Sequence, residues 1–262
     1  MCLIVFAWRP DHAQPLLLAA NRDEFYDRPT QGLASWDDVP GLIAGRDLQA
    51  GGTWLGVGRD GRFAALTNIR DPRRPPIGRS RGELPTQFLT SALSPEAFFH
   101  ELAQRADDYA GFNLLAGDRD ELWFYHSWEG TPQRLPAGLY GFSNAQLDTP
   151  WPKVQRAKAA LAAQLPAPHP GALLDLLSDP QQADAASLPD TGVGMATEIL
   201  LSSVFIASRS YGTRASTALI VQADGARQIV ERSYGPHGEL LGDIGLSEPA
   251  VRRRDSALLE DR

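Results

Sequence analysis

The chain contains 262 residues, of which 43% are hydrophobic and 22% are charged, and its formal net charge at pH 7 is -7. This length and balance are typical of one mixed α/β domain that buries its core without metals or disulfides. The acidic surface argues against nucleic acids and anionic membranes as main partners, because both recruit clustered Lys and Arg side chains.

Cys2 is the only cysteine of the chain. A disulfide within the chain is therefore excluded, which fits a reducing compartment and predicts a cytoplasmic protein. No run of residues approaches the ~20 apolar residues of a membrane span, so we expect no membrane insertion. The short apolar run 3–8 lacks the basic segment of a signal peptide and is interpreted as a strand.

Apolar runs separated by turn residues predict a series of antiparallel hairpins along the chain. The predicted strand pairs are 3–8 with 16–20, 53–58 with 62–68, and 112–116 with 121–128. Arg59-Asp60-Gly61 supplies the turn of the second pair and Gly117-Asp118 that of the third. Further along the chain, residues 199–207, 215–222 and 226–232 are also predicted as strands.

Helical patterns lie between the hairpins. Ser94 is a suitable N-cap for a helix with Pro95 at its first position. Apolar residues at helical spacing predict a second helix over 154–165, and a short third one follows over 171–177.

Hairpins with helices between them predict an α+β fold of two mostly antiparallel sheets covered by helices. We assign residues 1–247 to a single domain, because the Pro-rich stretch 166–170 is followed by further strand patterns. The charged, aperiodic stretch 248–262 is predicted to be a frayed tail.

The position of Cys2 directly after Met1 gives it a potential chemical role. Its small side chain favours excision of Met1, which would leave a thiol and a free α-amino group on one residue. An α-amino group has a pKa of ~7.7–8.0, so it can accept the thiol proton at neutral pH. The alternative is a small buried residue that merely begins a strand.

The polar cluster Asn21-Arg22-Asp23-Glu24 follows the second predicted strand. An antiparallel pair of this length brings the cluster back beside Cys2. Arg22 near the thiol is expected to lower the pKa of Cys2, and Asp23 to hold the α-amino group. The alternative is a polar loop with internal ion pairs.

Three later residues are candidates for the same site. Asn68 ends a predicted strand and Asn144 follows a short Gly-Phe-Ser run, so either amide is a candidate oxyanion donor. Arg214 precedes an apolar strand and is a candidate fixed positive charge. Each of the three is also an ordinary turn residue.

Together these segments resemble the NRDE-motif family, the family of the Transport and Golgi Organisation protein. The segments that carry the resemblance are Met1-Cys2-Leu3-Ile4, Asn21-Arg22-Asp23-Glu24, Arg28-Pro29-Thr30, Gly51-Gly52-Thr53-Trp54-Leu55-Gly56, Thr67-Asn68, Ser80-Arg81-Gly82, Phe112-Asn113-Leu114, Ser143-Asn144 and Tyr211-Gly212-Thr213-Arg214. They run in order from residue 1 to about 222, so nearly the whole chain is covered.

The resemblance implies an N-terminal-nucleophile (Ntn) hydrolase-like fold, a four-layer αββα sandwich. It extends more distantly to the cysteine Ntn hydrolases of the penicillin V acylase and bile salt hydrolase group. That group implies Cys2, Arg22, Asp23, Asn68, Asn144 and Arg214 as catalytic residues, and the segments shared with the NRDE-motif family add Asn21, Glu24, Thr67 and Tyr211 as supporting motif residues. In that group the Arg and the Asp are separated, whereas Arg22 and Asp23 are adjacent here.

Two functions follow as hypotheses. The first is hydrolysis of a non-peptide linear amide by Cys2 through a thioester, with no cofactor. The second is non-catalytic binding and trafficking of haem or of a lipid or acyl-CoA metabolite, to which family members have been linked. The five histidines lack metal-ligand spacing, so no metal site is predicted, and the expected partner is a small molecule.

Overall fold

The computed structural model describes residues 2–73 and 78–250, which contain thirteen strands and five α-helices. In chain order the strands are β1 (Cys2–Trp8), β2 (Leu16–Phe25), β3 (Thr30–Ser35), β4 (Ile43–Asp47), β5 (Leu55–Val57), β6 (Phe63–Asn68), β7 (Phe112–Gly117), β8 (Leu122–His126), β9 (Gln133–Arg134), β10 (Gly138–Phe142), β11 (Tyr211–Val221), β12 (Arg227–Tyr234) and β13 (Leu240–Glu248). The helices are α1 (Glu83–Thr90), α2 (Pro95–Ala103), α3 (Pro152–Gln164), α4 (Pro170–Asp175) and α5 (Met195–Leu200).

The strands form two sheets in which all neighbouring strands are antiparallel. One sheet has six strands in the order β10-β1-β2-β11-β12-β13, and the other has seven in the order β3-β4-β5-β6-β7-β8-β9. Alternation along β1 directs Ile4 and Phe6 to the space between the sheets, where they meet Leu115 and Phe124 of the other sheet. The main core therefore lies between the two sheets.

Helices cover the outer faces of both sheets. On the seven-stranded sheet, Phe88 of α1 and Phe99 of α2 pack against its strands. On the six-stranded sheet, Val154 of α3 and Leu173 of α4 pack against Leu3 and the other outward residues of β1 and β2. The layers thus follow the order helix, sheet, sheet, helix, and the predicted α+β αββα sandwich is confirmed.

The three predicted hairpins and the predicted helices are present, with boundaries shifted by a few residues. The cap of α2 is also confirmed, because the Ser94 side chain accepts a hydrogen bond from the Ala97 backbone N–H at 3.2 Å. These elements share strong local signals, namely alternation or helical periodicity beside explicit turn and cap residues.

The strand predicted over 199–207 is wrong. Residues Met195–Leu200 form α5, and the following residues form turns. Gly194 precedes the helix with φ of 84°, and Glu198 turns inward to an ion pair with Arg70 at 3.2 Å between Oε2 and Nη1. A short apolar run does not by itself distinguish a buried strand from one turn of helix.

Several elements were not predicted, among them α1 and the edge strands of both sheets. The longest of these elements is β13, which pairs with β12 over its length although most of its residues are exposed. Its pattern lacks the alternation of a half-buried strand, so its pairing comes from the neighbouring strand. Glu248, predicted to begin a frayed tail, ends β13, and residues 251–262 lie outside the described residues.

Strand pairing brings the Asn21-Arg22-Asp23-Glu24 cluster to Cys2. The cluster is not a loop, because β2 continues through it to Phe25. Cys2 lies opposite Arg22 across the β1–β2 pair, and Asp23 lies opposite Thr213 of β11. Among the described residues, no helix is long and apolar enough to span a membrane.

Candidate functional site

A cavity of about 620 Å³ opens where β1 begins and β6 ends. Its lining includes Cys2, Arg22, Asp23, Trp54, Asn68 and Arg81. Four of the six residues predicted as catalytic thus meet at one cavity. Asn144 and Arg214 have other positions, described below.

Cys2 lines this cavity and is 8% exposed. Its backbone is held by Ser143, whose Oγ donates to the Cys2 carbonyl at 2.6 Å. Burial raises the pKa of the Cys2 thiol, while the nearby Arg22 guanidinium acts in the opposite direction. Arg22 thus lowers the thiol pKa as expected, but desolvation outweighs its charge, so the thiol pKa is raised overall and not depressed.

Arg22 faces the interior between the sheets. Its guanidinium carbon stacks 4.2 Å from the ring centroid of Trp54, and its Nη1 donates to Thr30 Oγ1 at 3.2 Å. Burial lowers the pKa of Arg22, and the Cys2 thiolate works against this shift. Within the described residues no carboxylate is in ion-pair contact with Arg22, although Glu24 and Asp47 are near enough to favour its charged form.

Asp23 has its side-chain partners on the helix-covered face, because adjacent residues of a strand point to opposite sides. The Thr213 hydroxyl donates to Asp23 Oδ1 at 2.8 Å, and Asp23 is 2% exposed. Burial raises the pKa of Asp23, and the Lys153 ammonium opposes that shift. Adjacent positions in the sequence thus give Arg22 and Asp23 different environments.

Lys153 is a buried residue that sequence reasoning missed. It lies in the first turn of α3, is 2% exposed, and burial lowers its pKa to about 8. Its Nζ has no hydrogen-bond partner among the described residues. The one sequence signal is its place beside Val154 and Ala157, on the face of α3 that packs against the six-stranded sheet.

Asn21 and Glu24, the outer residues of the motif, also lie in different environments. The Asn21 amide donates to the carbonyls of Leu177 and Val204 at 2.9 and 2.8 Å, and its Oδ1 accepts from Ser216 at 2.5 Å. Glu24 lines the cavity beside Arg28, 3.9 Å away. Asn21 therefore connects structural elements, whereas Glu24 borders the cavity.

Asn68 and Asn144 are joined by a hydrogen bond near the cavity that contains Cys2. Asn68 is the last residue of β6 and lines the cavity. Asn144 is 1% exposed and its Nδ2 donates to the Asn68 backbone carbonyl at 2.8 Å. Thr67 Oγ1 donates to the Ser143 carbonyl at 2.6 Å, and Ser143 in turn donates to the Cys2 carbonyl. These bonds connect the end of β6 to the backbone of Cys2.

Arg214 and Tyr211 hold the segment that follows the motif. Nη1 of Arg214 donates to the carbonyls of Phe25 and Arg28, and the hydroxyl of Tyr211 donates to the Asp23 carbonyl at 3.2 Å. A β-bulge in β11 between Thr213 and Ala215 accompanies this arrangement. Arg214 thus supports the turn beside the cavity.

Metal binding has no apparent site in residues 2–73 and 78–250. No group of three or more His, Cys, Asp or Glu side chains there is arranged to hold a metal ion.

The sequence matches the family model described as Transport and Golgi organisation 2 over residues 1–236. The chain belongs to this family. It is 36% identical over 256 residues to the Transport and Golgi organization 2 homolog of Mus musculus, covering 89% of this chain and 93% of that protein. It is 26% identical over 275 residues to the Transport and Golgi organization protein 2 of Drosophila melanogaster, covering 91% and 95%.

Solved structures similar to this member of the Transport and Golgi organisation 2 family include two hydrolases. One is the C2A mutant of the conjugated bile acid hydrolase from Clostridium perfringens, with a TM-score of 0.47, 9% identity, and coverage of 94% of this chain and 92% of that chain. The other is the Caenorhabditis elegans ortholog of N-acylethanolamine-hydrolyzing acid amidase, with a TM-score of 0.41, 11% identity, and coverage of 85% and 93%.

Proposed function

We propose that this protein is a cysteine Ntn amidohydrolase that cleaves a non-peptide linear amide through a thioester on Cys2. The observation that carries the proposal is the position of Cys2. The only thiol of the chain lies at the start of β1, opposite Arg22, and lines a cavity of about 620 Å³ that also contains Asn68. A nucleophile, a cation and an amide donor at one cavity are the parts that acyl transfer requires.

The proposed reaction has two acyl-transfer steps. After removal of Met1, the α-amino group of Cys2 takes the thiol proton, and the sulfur attacks the amide carbonyl. The C–N bond breaks, the amine leaves with that proton, and a thioester remains on Cys2. The α-amino group of Cys2 then deprotonates a water molecule, which attacks the thioester. This step releases a carboxylic acid and returns the proton to the free thiol.

The other residues have supporting roles in this proposal. Asn68 donates its side-chain amide to the oxyanion, while Asn144 positions Asn68 through the bond to its carbonyl. Arg22 favours the thiolate, and Asp23 is assigned to orient the α-amino group. Arg214 and Tyr211 hold the backbone beside Asp23 and Phe25.

The test combines intact mass with a panel of acyl amides. We expect purified protein to lack Met1, to gain the mass of an acyl group transiently, and to release the free amine. Cys2→Ala should abolish both acylation and turnover while leaving the melting temperature near that of wild type. Active protein that retains Met1, or full turnover by Cys2→Ala, would contradict the mechanism.

Asn68→Ala separates the proposed oxyanion donor from a strand-end residue. Loss of one such donor typically costs ~2.7–4 kcal/mol in the transition state, a fall of roughly 10²–10³ in kcat. Affinity for a bound amide should change little, since the charge develops only during reaction. A folded variant with near-normal kcat would remove Asn68 from the mechanism.

The carrier hypothesis for haem or an acyl-CoA metabolite makes the opposite forecast for the same protein. It expects a Soret shift on haem titration, or tight acyl-CoA binding, with no release of amine from any amide. The same affinity in Cys2→Ala would show that such a carrier does not use the thiol. Turnover of any amide by wild type and not by Cys2→Ala would favour the hydrolase.

A further inference from the structure

The cavity beside Cys2 contains a second guanidinium group, that of Arg81. Arg81 precedes α1, is partly buried, and lines the cavity together with Cys2 and Arg22. Its Nη1 donates to the Gly111 carbonyl at 3.0 Å, which fixes one edge of the guanidinium. Within residues 2–73 and 78–250 it forms no ion pair.

The carboxylates of the cavity are already engaged. Asp47 Oδ2 accepts from Arg28 Nη2 at 2.6 Å, and Glu24 also borders Arg28. Asp23 accepts from Thr213 on the helix-covered face. The acidic groups therefore have contacts elsewhere, whereas Arg22 and Arg81 line the cavity without an ion-pair contact among the described residues, although Glu24 is near enough to act on both charges.

Electrostatics agree with this geometry. Burial lowers the pKa of Arg81, and the Cys2 thiolate and the Glu24 carboxylate act in the opposite direction. Arg81 is thus close enough to the thiol for the two charges to interact. A partly desolvated guanidinium gains most from an anionic oxygen group, which it can bind with two parallel hydrogen bonds.

We propose that Arg81, together with Arg22, forms an anion subsite, so that the molecule bound beside Cys2 carries a carboxylate or phosphate group. This inference deepens the proposed hydrolase function and rests on it, because the bound anion is a substrate only if Cys2 hydrolyses it. The binding preference itself does not require turnover. Arg81 is a specificity residue in this proposal, and the substrate class is an anionic acyl amide.

The first test compares two thiol reagents of nearly equal size, iodoacetate and iodoacetamide. Both need the same Cys2 thiolate, so the ratio of their rate constants at one pH cancels any change in thiol pKa. We expect Arg81→Gln to lower the iodoacetate-to-iodoacetamide ratio about tenfold, because an attractive charge near the reagent is lost. Arg81→Lys should retain most of the wild-type ratio.

Arg79 offers a matched control in the same cavity lining. Its side chain is 53% exposed and its Nε lies 2.7 Å from Glu83 Oε1, so its charge is screened and already paired. Arg79→Gln should therefore leave the ratio unchanged. An unchanged ratio in folded Arg81→Gln, or an equal fall in Arg79→Gln, would overturn the proposal.

Salt dependence keeps the proposal testable if Arg81→Gln does not fold. A thiolate alone repels iodoacetate, so screening should raise the ratio as salt increases. The anion subsite has the opposite sign, and the wild-type ratio should fall between about 0.01 M and about 1 M salt, where the screening length shortens from roughly 30 to 3 Å. A rise with salt would contradict the subsite.

Competition distinguishes the two anion classes and separates this proposal from the hydrolase. Hexanoate, hexyl phosphate and neutral hexanamide are each tested for protection of Cys2 against iodoacetamide. Protection by either anion but not by hexanamide, lost in Arg81→Gln, supports the subsite and names the headgroup. The same result with no amide ever hydrolysed would leave the subsite standing while the hydrolase proposal fails.

Discussion

The two faces of β2 at Asn21-Arg22-Asp23-Glu24 differ although their residues alternate along one strand. On the helix-covered face, Asn21 and Asp23 are almost fully buried and bonded to side chains of β11. On the cavity face, Arg22 and Glu24 border open space. The pleat thus directs the side chains of Asn21 and Asp23 to one face of the strand and those of Arg22 and Glu24 to the other.

Burial disfavours the charged form of the titratable groups on both faces. On the helix-covered face it lowers the pKa of Lys153 to about 8 and raises the pKa of Asp23. On the cavity face it raises the pKa of the Cys2 thiol, and Arg22 opposes it. We expect substitutions on the helix-covered face to change mainly stability, and substitutions on the cavity face to change mainly the reactivity of Cys2.

The largest expected effect is a loss of stability on the helix-covered face. Asn21→Ala removes three hydrogen bonds and leaves the carbonyls of Leu177 and Val204 without a partner. The free energy of unfolding should fall by about 4 kcal/mol, since buried unpaired groups keep their desolvation cost. Urea unfolding measures it, and Ser216→Ala, which removes one of the three bonds, should cost about 1 kcal/mol. Equal losses in the two variants would contradict the assignment.

The second effect is a pH dependence from Lys153. Its pKa is about 8 in the folded protein and 10.5 for an ordinary lysine, so unfolding takes up a proton between these values. Wild-type stability should rise with pH across this window by about 3 kcal/mol relative to Lys153→Met, and the two should run parallel below it. Parallel curves up to pH 10.5 would show that Lys153 keeps its charge when buried.

The smallest effect is on the cavity face, and it concerns rate. Arg22→Gln removes one of the positive charges that oppose the raised pKa of Cys2, so the thiol pKa should rise further. Alkylation by iodoacetamide near pH 8 should slow roughly fivefold, because only the thiolate reacts. The free energy of unfolding should change much less than in Asn21→Ala. A rate equal to wild type at every pH would mean that Arg22 does not act on the thiol.

Local signals explain what the sequence predicted well. Hairpins with explicit turns, the Ser94 cap and the amphipathic pattern of α3 are specified by neighbouring residues, and all are present. The meeting of Cys2 and Arg22 also follows from strand length alone, because an antiparallel pair returns the chain to its start. The ordered set of segments identified the family over nearly the whole chain.

Tertiary structure decided the rest, since partners distant in sequence set burial and charge. The inward turn of Glu198 at Arg70 accompanies a helix where an apolar run predicted a strand, and β13 exists through its pairing with β12. The net rise of the Cys2 pKa depends on how much water the fold excludes, which no spacing reveals. The sequence by itself predicted that Cys2, Arg22, Asp23 and Asn68 would meet, and these four line one cavity. Only packing determined which face each one serves, because the pleat and the covering helices set the environment of every side chain.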